Sequence, residues 1–300
     1  MFRREVAWLP ERSRFHAVKR GFFGQKSFGQ RSFGQKWCSS LALVVLACSS
    51  PQTPGAVHND EGQSIAEYDI ARDLWLNRGQ TREALDHVLR AIALDDENAD
   101  AQHLAALIYL DFCQQTSEPC RLPEAEKHAR AALELKDDFR EARNTLGVTL
   151  IHEQRYADAI AVLTPLAEDM LHRTPENAWG NIGWAHLLAG SLPEAIDALK
   201  RSVAAQPDFC VGHYRLGQAY ERTGDSAGAL ESYTRSLQAA GGRCQGLQEA
   251  YAGRARLLTA LNRAAEAQSD LQTCVRLDKR TDAGRECLAL QAQVQNPPAP

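Results

Sequence analysis

One alanine, recurring down most of the chain, limits what this sequence can fold into. It stands at Ala84, Ala125, Ala159, Ala195, Ala229 and Ala267, in steps of 41, 34, 36, 34 and 38 residues. Its surroundings repeat as well. Four residues on comes a packing position, filled by Val88, Ala129, Leu163, Leu199, Tyr233 and Leu271. Upstream a small residue recurs at Ala106, Gly147, Gly183, Gly217 and Ala255, with Arg72 in its place in the first unit. Three residues beyond it lies a larger side chain, Trp75, Tyr109, Leu150, Tyr220 or Leu258, with His186 the exception. A unit of this length cannot bury its apolar face alone, so such units stack and share one core. Three- and four-residue spacings predict helices, two to a unit. Where the two cross, only Gly or Ala lets the backbones approach, and larger residues on the flanking turns fill the space.

The 34-residue step resembles the tetratricopeptide repeat (TPR). That resemblance implies an all-α solenoid, a right-handed superhelix of six helix hairpins over residues 65–281. The units start near 65, 99, 140, 176, 210 and 248, a capping helix covers 282–293, and a Pro-rich tail covers 294–300. Leu-Pro-Glu-Ala occurs at 122–125 and 192–195, with Pro in the first turn of a second helix. Pro207 ends one helix; Asp137 and Gly241 end others. Apolar residues make up 44% of the chain, yet it has two Met and 7% aromatics, so the core is expected to be mostly Ala and Leu.

The first 47 residues read as a targeting segment. They hold nine Lys/Arg and two acids, and end in a short apolar run from Leu41 to Ala47. Seven residues are too few to span a bilayer, which takes about 20, but suit the core of a signal peptide. The sequence Val45-Leu46-Ala47-Cys48-Ser49-Ser50 resembles a bacterial lipobox. On that resemblance Cys48 is the lipidation site, and acyl chains worth ~0.8 kcal/mol per CH₂ would hold the protein on a membrane. A five-residue repeat, Phe-Gly-Gln-Lys/Arg-Ser, runs from Phe23 and suggests low complexity rather than a fold. Residues 48–64, rich in Ser, Pro and Gly, are expected to be a flexible tether.

Beyond residue 47 the chain has 25 basic and 36 acidic residues, a net of −11. Nucleic-acid binding needs a basic face, so that class is excluded. Six cysteines follow Cys48, an even number that in an exported chain suggests disulfides. The repeat register favours the sequential pairs Cys113–Cys120, Cys210–Cys244 and Cys274–Cys287. Free buried thiols remain open, and zinc less so, because Cys210-x-x-His213 has no second half at zinc-finger spacing.

No phosphate-binding Gly-rich loop or Gly-x-Ser-x-Gly is present, and His152-Glu153-Gln154-Arg155-Tyr156 lacks the second His of a zinc-protease motif. A binding protein is therefore expected rather than an enzyme, with no cofactor, metal or small-molecule substrate. In TPR proteins the first helices line the concave face. The register places His103, Leu107, Leu110, Asn144, Val148, Ile151, Trp184, Leu187, Tyr214 and Gln218 there, an apolar groove suited to an amphipathic helix or an extended apolar segment.

A lipobox, a short tether and six repeats together resemble the pilotins of type IV pili, the Tgl/PilF/PilW-type lipoproteins, and most nearly their myxobacterial branch. The resemblance covers Cys48 to about residue 293. It implies a lipoprotein on the periplasmic face of the outer membrane whose partner is the pilus secretin, which it helps assemble into a multimer. Two alternatives stand beside it: a scaffold lipoprotein for another envelope machine such as cell-wall synthesis, and a regulatory subunit of a separate enzyme.

Overall fold

A computed structural model describes residues 60–114, 120–169, 171–239, 244 and 246–295. Cys48 and the segments expected to be signal and tether up to residue 59 lie outside them. Among the described residues there are thirteen α-helices and no strand. The first helices of the units are α1 (Asp60–Leu76), α3 (Ala99–Gln114), α5 (Arg140–His152), α7 (Pro175–Ala189), α9 (Cys210–Thr223) and α11 (Gln248–Ala260). The second helices are α2 (Thr81–Leu94), α4 (Leu122–Leu135), α6 (Tyr156–Glu168), α8 (Leu192–Ala205), α10 (Ser226–Gln238) and α12 (Ala264–Leu277). The closing helix is α13 (Asp282–Gln295). Each helix packs on the next and, along the row of first helices, on the next but one. This is the all-α solenoid that the repeat register implies.

The recurring alanines mark the crossings. Ala84, Ala125, Ala159, Ala195, Ala229 and Ala267 are all wholly buried. So are Val88, Ala129, Leu163, Leu199, Tyr233 and Leu271, one turn on. The small residue on the partner helix faces that second position. A Cβ added at Gly147 would lie 2.4 Å from Leu163 Cγ, and one at Gly217 2.7 Å from the Tyr233 ring. In the first unit Arg72 fills this position without entering the crossing. It lies over the Tyr68 ring at 5.4 Å and pairs with Asp69 at 2.9 Å.

The turn from first to second helix follows one rule. Gly79, Gln154, Gly190, Gly224 and Asn262 all have positive φ, between 57° and 85°. Each closes a first helix, and the left-handed residue lets the chain reverse without extra length. The second unit has the insert between Cys113 and Cys120 instead. At Gln154 a side chain with a Cβ holds a conformation that costs it roughly 1–2 kcal/mol. Gln154→Gly is therefore expected to stabilise the fold by about 0.5–1 kcal/mol, read as a raised urea midpoint, while Gly190→Gln should lower it by a similar amount.

Helix α1 starts at Asp60, five residues inside the expected tether, and Ser64 shows why. Its side chain is wholly buried and donates a 2.8 Å hydrogen bond to the Ala91 carbonyl on α2. The closing helix runs two residues beyond 293.

Candidate functional site

The first helices α3, α5, α7 and α9 lie side by side, and polar contacts cross each of the seams between them. His103 Nε2 and the Thr145 hydroxyl are 3.0 Å apart. The Asn181 amide donates to Asn144 Oδ1 at 3.0 Å. Arg215 donates from Nη1 to the Gly180 carbonyl and to Asn181 Oδ1, both at 3.1 Å. Its guanidinium also sits 4.4 Å from the centre of the Trp184 ring, and the His152 and Trp184 ring centres lie 5.4 Å apart at 80° to each other. A cation at 2% exposure is costly unless its donors and its π-facing surface are all engaged, and here carbonyl, amide and indole share it. Arg222, farther along α9, donates to the Leu187 carbonyl at the end of α7.

These seams correct the expectation of an open apolar groove. His103, Leu107, Leu110, Val148, Ile151, Trp184, Leu187 and Tyr214 are all buried, at 1–8% exposure. Leu107, Leu110, Val148, Ile151 and Trp184 belong to the largest core cluster, and Leu187 to a smaller one. Trp184 is held between neighbouring helices by His152 and Arg215 and does not stand out as a finger. Of the expected groove residues, Asn144 and Gln218 are half-buried; on the same helices His152 and Leu188 are also half-buried, and Arg222 is exposed. Two acceptors on this face stand apart. Asn177 Oδ1 on α7 and Gln218 Oε1 on α9 are shielded from solvent and receive no hydrogen bond from the described residues.

Burial also sets the protonation of the two histidines. It holds His103 down at about 4, and it does the same for His152, where the Arg215 charge adds to it. Both are neutral in the fold at pH 7, whereas in the unfolded chain they titrate near 6.5. The unfolded state therefore takes up protons first as the pH falls. The stability they contribute is complete above pH 6.5 and is lost progressively towards pH 4, by up to about 1.4 kcal/mol per pH unit for each histidine. His103→Gln should flatten the fall in unfolding free energy across that window, measured by urea titration at half-unit pH steps.

The cysteines come together as the three sequential pairs. Sulphur–sulphur distances are 2.13 Å for Cys113–Cys120, 1.91 Å for Cys210–Cys244 and 1.99 Å for Cys274–Cys287. The first closes the insert of unit two. The second ties the start of α9 to the connection before α11. The third fastens α13 to α12, and both its cysteines are wholly buried. His213, which sequence pairs with Cys210 as a half-motif, has its Nε2 2.8 Å from the Pro207 carbonyl. The His152–Tyr156 stretch straddles the end of α5 and the start of α6 and so presents no helical pair of ligands. Among the described residues no three His, Cys, Asp or Glu gather as a metal site.

One ionic cluster was not legible in the sequence. Arg256 on α11 donates to Glu221 on α9 at 2.9 and 3.0 Å and also pairs with Glu286 on α13. Tyr233 adds a 2.7 Å bond to the same Glu221. Burial alone would raise the Glu221 carboxyl, but these donors outweigh it and hold it below the ordinary range.

Family models described as tetratricopeptide repeat match residues 121–164 and 165–208, and, for a second model, 212–241 and 248–281. The chain is 26% identical over 172 residues to the type IV pilus assembly protein PilF of Pseudomonas aeruginosa, covering 54% of this chain and 63% of that one. It is 25% identical over 187 residues to Superkiller complex protein 3 of Mus musculus, covering 61% of this chain and 12% of that one. The match thus spans less than two thirds of either relative. Among solved structures, PilW, a widely conserved type IV pilus biogenesis factor, superposes with a TM-score of 0.61 at 23% identity, over 75% of this chain and 98% of that one.

Proposed function

Since this chain belongs to the tetratricopeptide-repeat family, we propose that it captures a segment of another protein along its row of first helices, and that this partner is the type IV pilus secretin. On this reading it is a pilotin of the Tgl/PilF/PilW type, anchored in the outer membrane through a lipid on Cys48 and facing the periplasm. The observation that carries the capture is the margin of the first-helix row, where Asn144, His152, Leu188 and Gln218 are half-buried and Arg222 is exposed beside an otherwise enclosed core. A polypeptide laid across α5, α7 and α9 meets the Asn144 and Gln218 side chains and Leu188, with the Arg222 charge at its margin. The choice of partner is supported by the extent of the likeness to PilW, nearly the whole of whose chain superposes, and by the likeness to PilF.

The work is positional. A membrane anchor and a captured subunit on one chain raise the local concentration of secretin at the bilayer, and ring assembly then gains by mass action. The test is a strain lacking the gene. Secretin monomer should persist there while the heat-stable multimer is lost, and a Gln218→Arg/Asn144→Arg protein should fail to restore it although it folds and reaches the envelope. Normal multimers in the deletion strain would rule the role out.

A further inference from the structure

A second surface lies on the other side of the same helices. Helices α6 and α8, with α7 between them, enclose an open cleft of ≈450 Å³. Its floor is apolar, with Ile160, Ile182, Ala198 and the half-buried Trp179. Trp179 precedes Trp184 by five residues, which is about 140° around a helix. The two indoles therefore serve different faces of α7. Stacking of the repeats does not demand a tryptophan here, because the matching positions of the flanking units hold Arg143 and His213.

The rim is acidic. Glu168, Glu194 and Asp197 are exposed around the cleft, against one cation, Arg201. Arg201 is already committed. Its Nε donates to Asp197 at 2.9 Å, and its guanidinium lies 4.8 Å from the centre of the Trp179 ring. Glu168 and Glu194 have no ion pair among the described residues. The cleft thus holds one guanidinium against indole and carboxylate, and has two further carboxylates beside an apolar floor. A tryptophan face flanked by carboxylates favours a cation with an apolar neighbour.

We propose that this cleft is a second binding site, for a basic segment of a partner protein that sets an arginine or lysine beside a large aliphatic or aromatic side chain. The apolar side chain enters over Ile160 and Ile182. The cation takes Glu168 and Glu194, alongside or in place of Arg201 on the Trp179 face. The site is independent of capture by the first helices, so the protein can hold two segments at once, one on each side.

The test is a two-dimensional NMR titration of the folded protein with the capped peptide acetyl-Gly-Leu-Arg-Leu-Arg-Gly-amide, and with its counterpart carrying Glu for Arg. The Trp179 indole N–H signal, assigned by its loss in Trp179→Phe, should shift saturably with the basic peptide alone, and the Trp184 signal should not move. Glu168→Gln/Glu194→Gln, two exposed substitutions, should weaken binding about fivefold, and 0.5 M salt should weaken it further. No saturable shift at Trp179, an equal shift from the acidic peptide, or movement of Trp184 alone would overturn the proposal. None of these outcomes bears on secretin assembly, which the deletion strain reads separately.

Discussion

Reducing agent should loosen this protein by several kcal/mol, unevenly along its length. On the chain-entropy account, closing loops of 7, 13 and 34 residues is worth roughly 2, 3 and 4 kcal/mol respectively. Those contributions do not merge into one global figure, because each helix rests only on near neighbours and stability is close to a sum of local terms. The Cys210→Ser/Cys244→Ser variant is expected to show the largest shift in urea midpoint. It frees the start of α9 from the connection before α11, and unit five loses its tie to unit six. Cys274→Ser/Cys287→Ser acts at the end of the stack. There α13 should lose amide-exchange protection well before α12, with units two to four unchanged. Equal midpoints with and without dithiothreitol, on protein recovered from an oxidising compartment, would mean that the thiols are not joined.

The second large effect is expected at a helix crossing. Gly183→Val places a Cβ 2.5 Å from Leu199 Cγ and 3.2 Å from the Ala195 carbonyl. The first contact involves the branch point of a wholly buried side chain, and the second involves backbone, so neither yields by a simple rotation. Overpacking of this kind costs typically 1–3 kcal/mol, and the two obstacles together point to the upper end. Leu199→Ala alone should cost ~2–5 kcal/mol through the cavity it leaves. Combined, the two should cost less than their sum by about 1–2 kcal/mol, because the valine fills space that the leucine vacates. Relief stays partial because the Ala195 carbonyl is still there. Strict additivity in thermal or urea denaturation would show that the crossing is looser than these distances require.

The regular part of the fold was legible because crossings impose residue type. A position that must let two backbones approach accepts only Gly or Ala, and the alanine ladder therefore fixed the register. Units two, three, five and six begin at Ala99, Arg140, Cys210 and Gln248, where the register put them. The left-handed turn residues are harder to see, because Gln154 and Asn262 do not announce positive φ as glycine does. The first helix starts five residues before the register's first unit near 65. Its opening carries Asp60, Glu61 and Ser64, which look like linker, until Ser64 is seen bonded to the Ala91 carbonyl.

The binding face was legible only as a side of the helices. Sequence placed Trp184, Tyr214 and Leu107 on the inner side of the first helices. Whether a residue there is exposed depends on how tightly successive units wind, which is a property of the stack. Here the winding brings Arg215 over Trp184 and Asn181 onto Asn144, and the apolar residues are enclosed. Trp179 is the signal that the sequence does carry for a second face, a tryptophan where neighbouring units have Arg143 and His213.

Contact between near neighbours only has a mechanical consequence. A body without links between distant parts responds to a pull as a coil spring does. The load passes through every turn in series, and a small rotation at each seam adds up to a large extension. On the proposed anchoring through Cys48, such a stack would stretch and recoil when a captured segment pulled on it, and its weakest link would be the seam with the fewest ties across it.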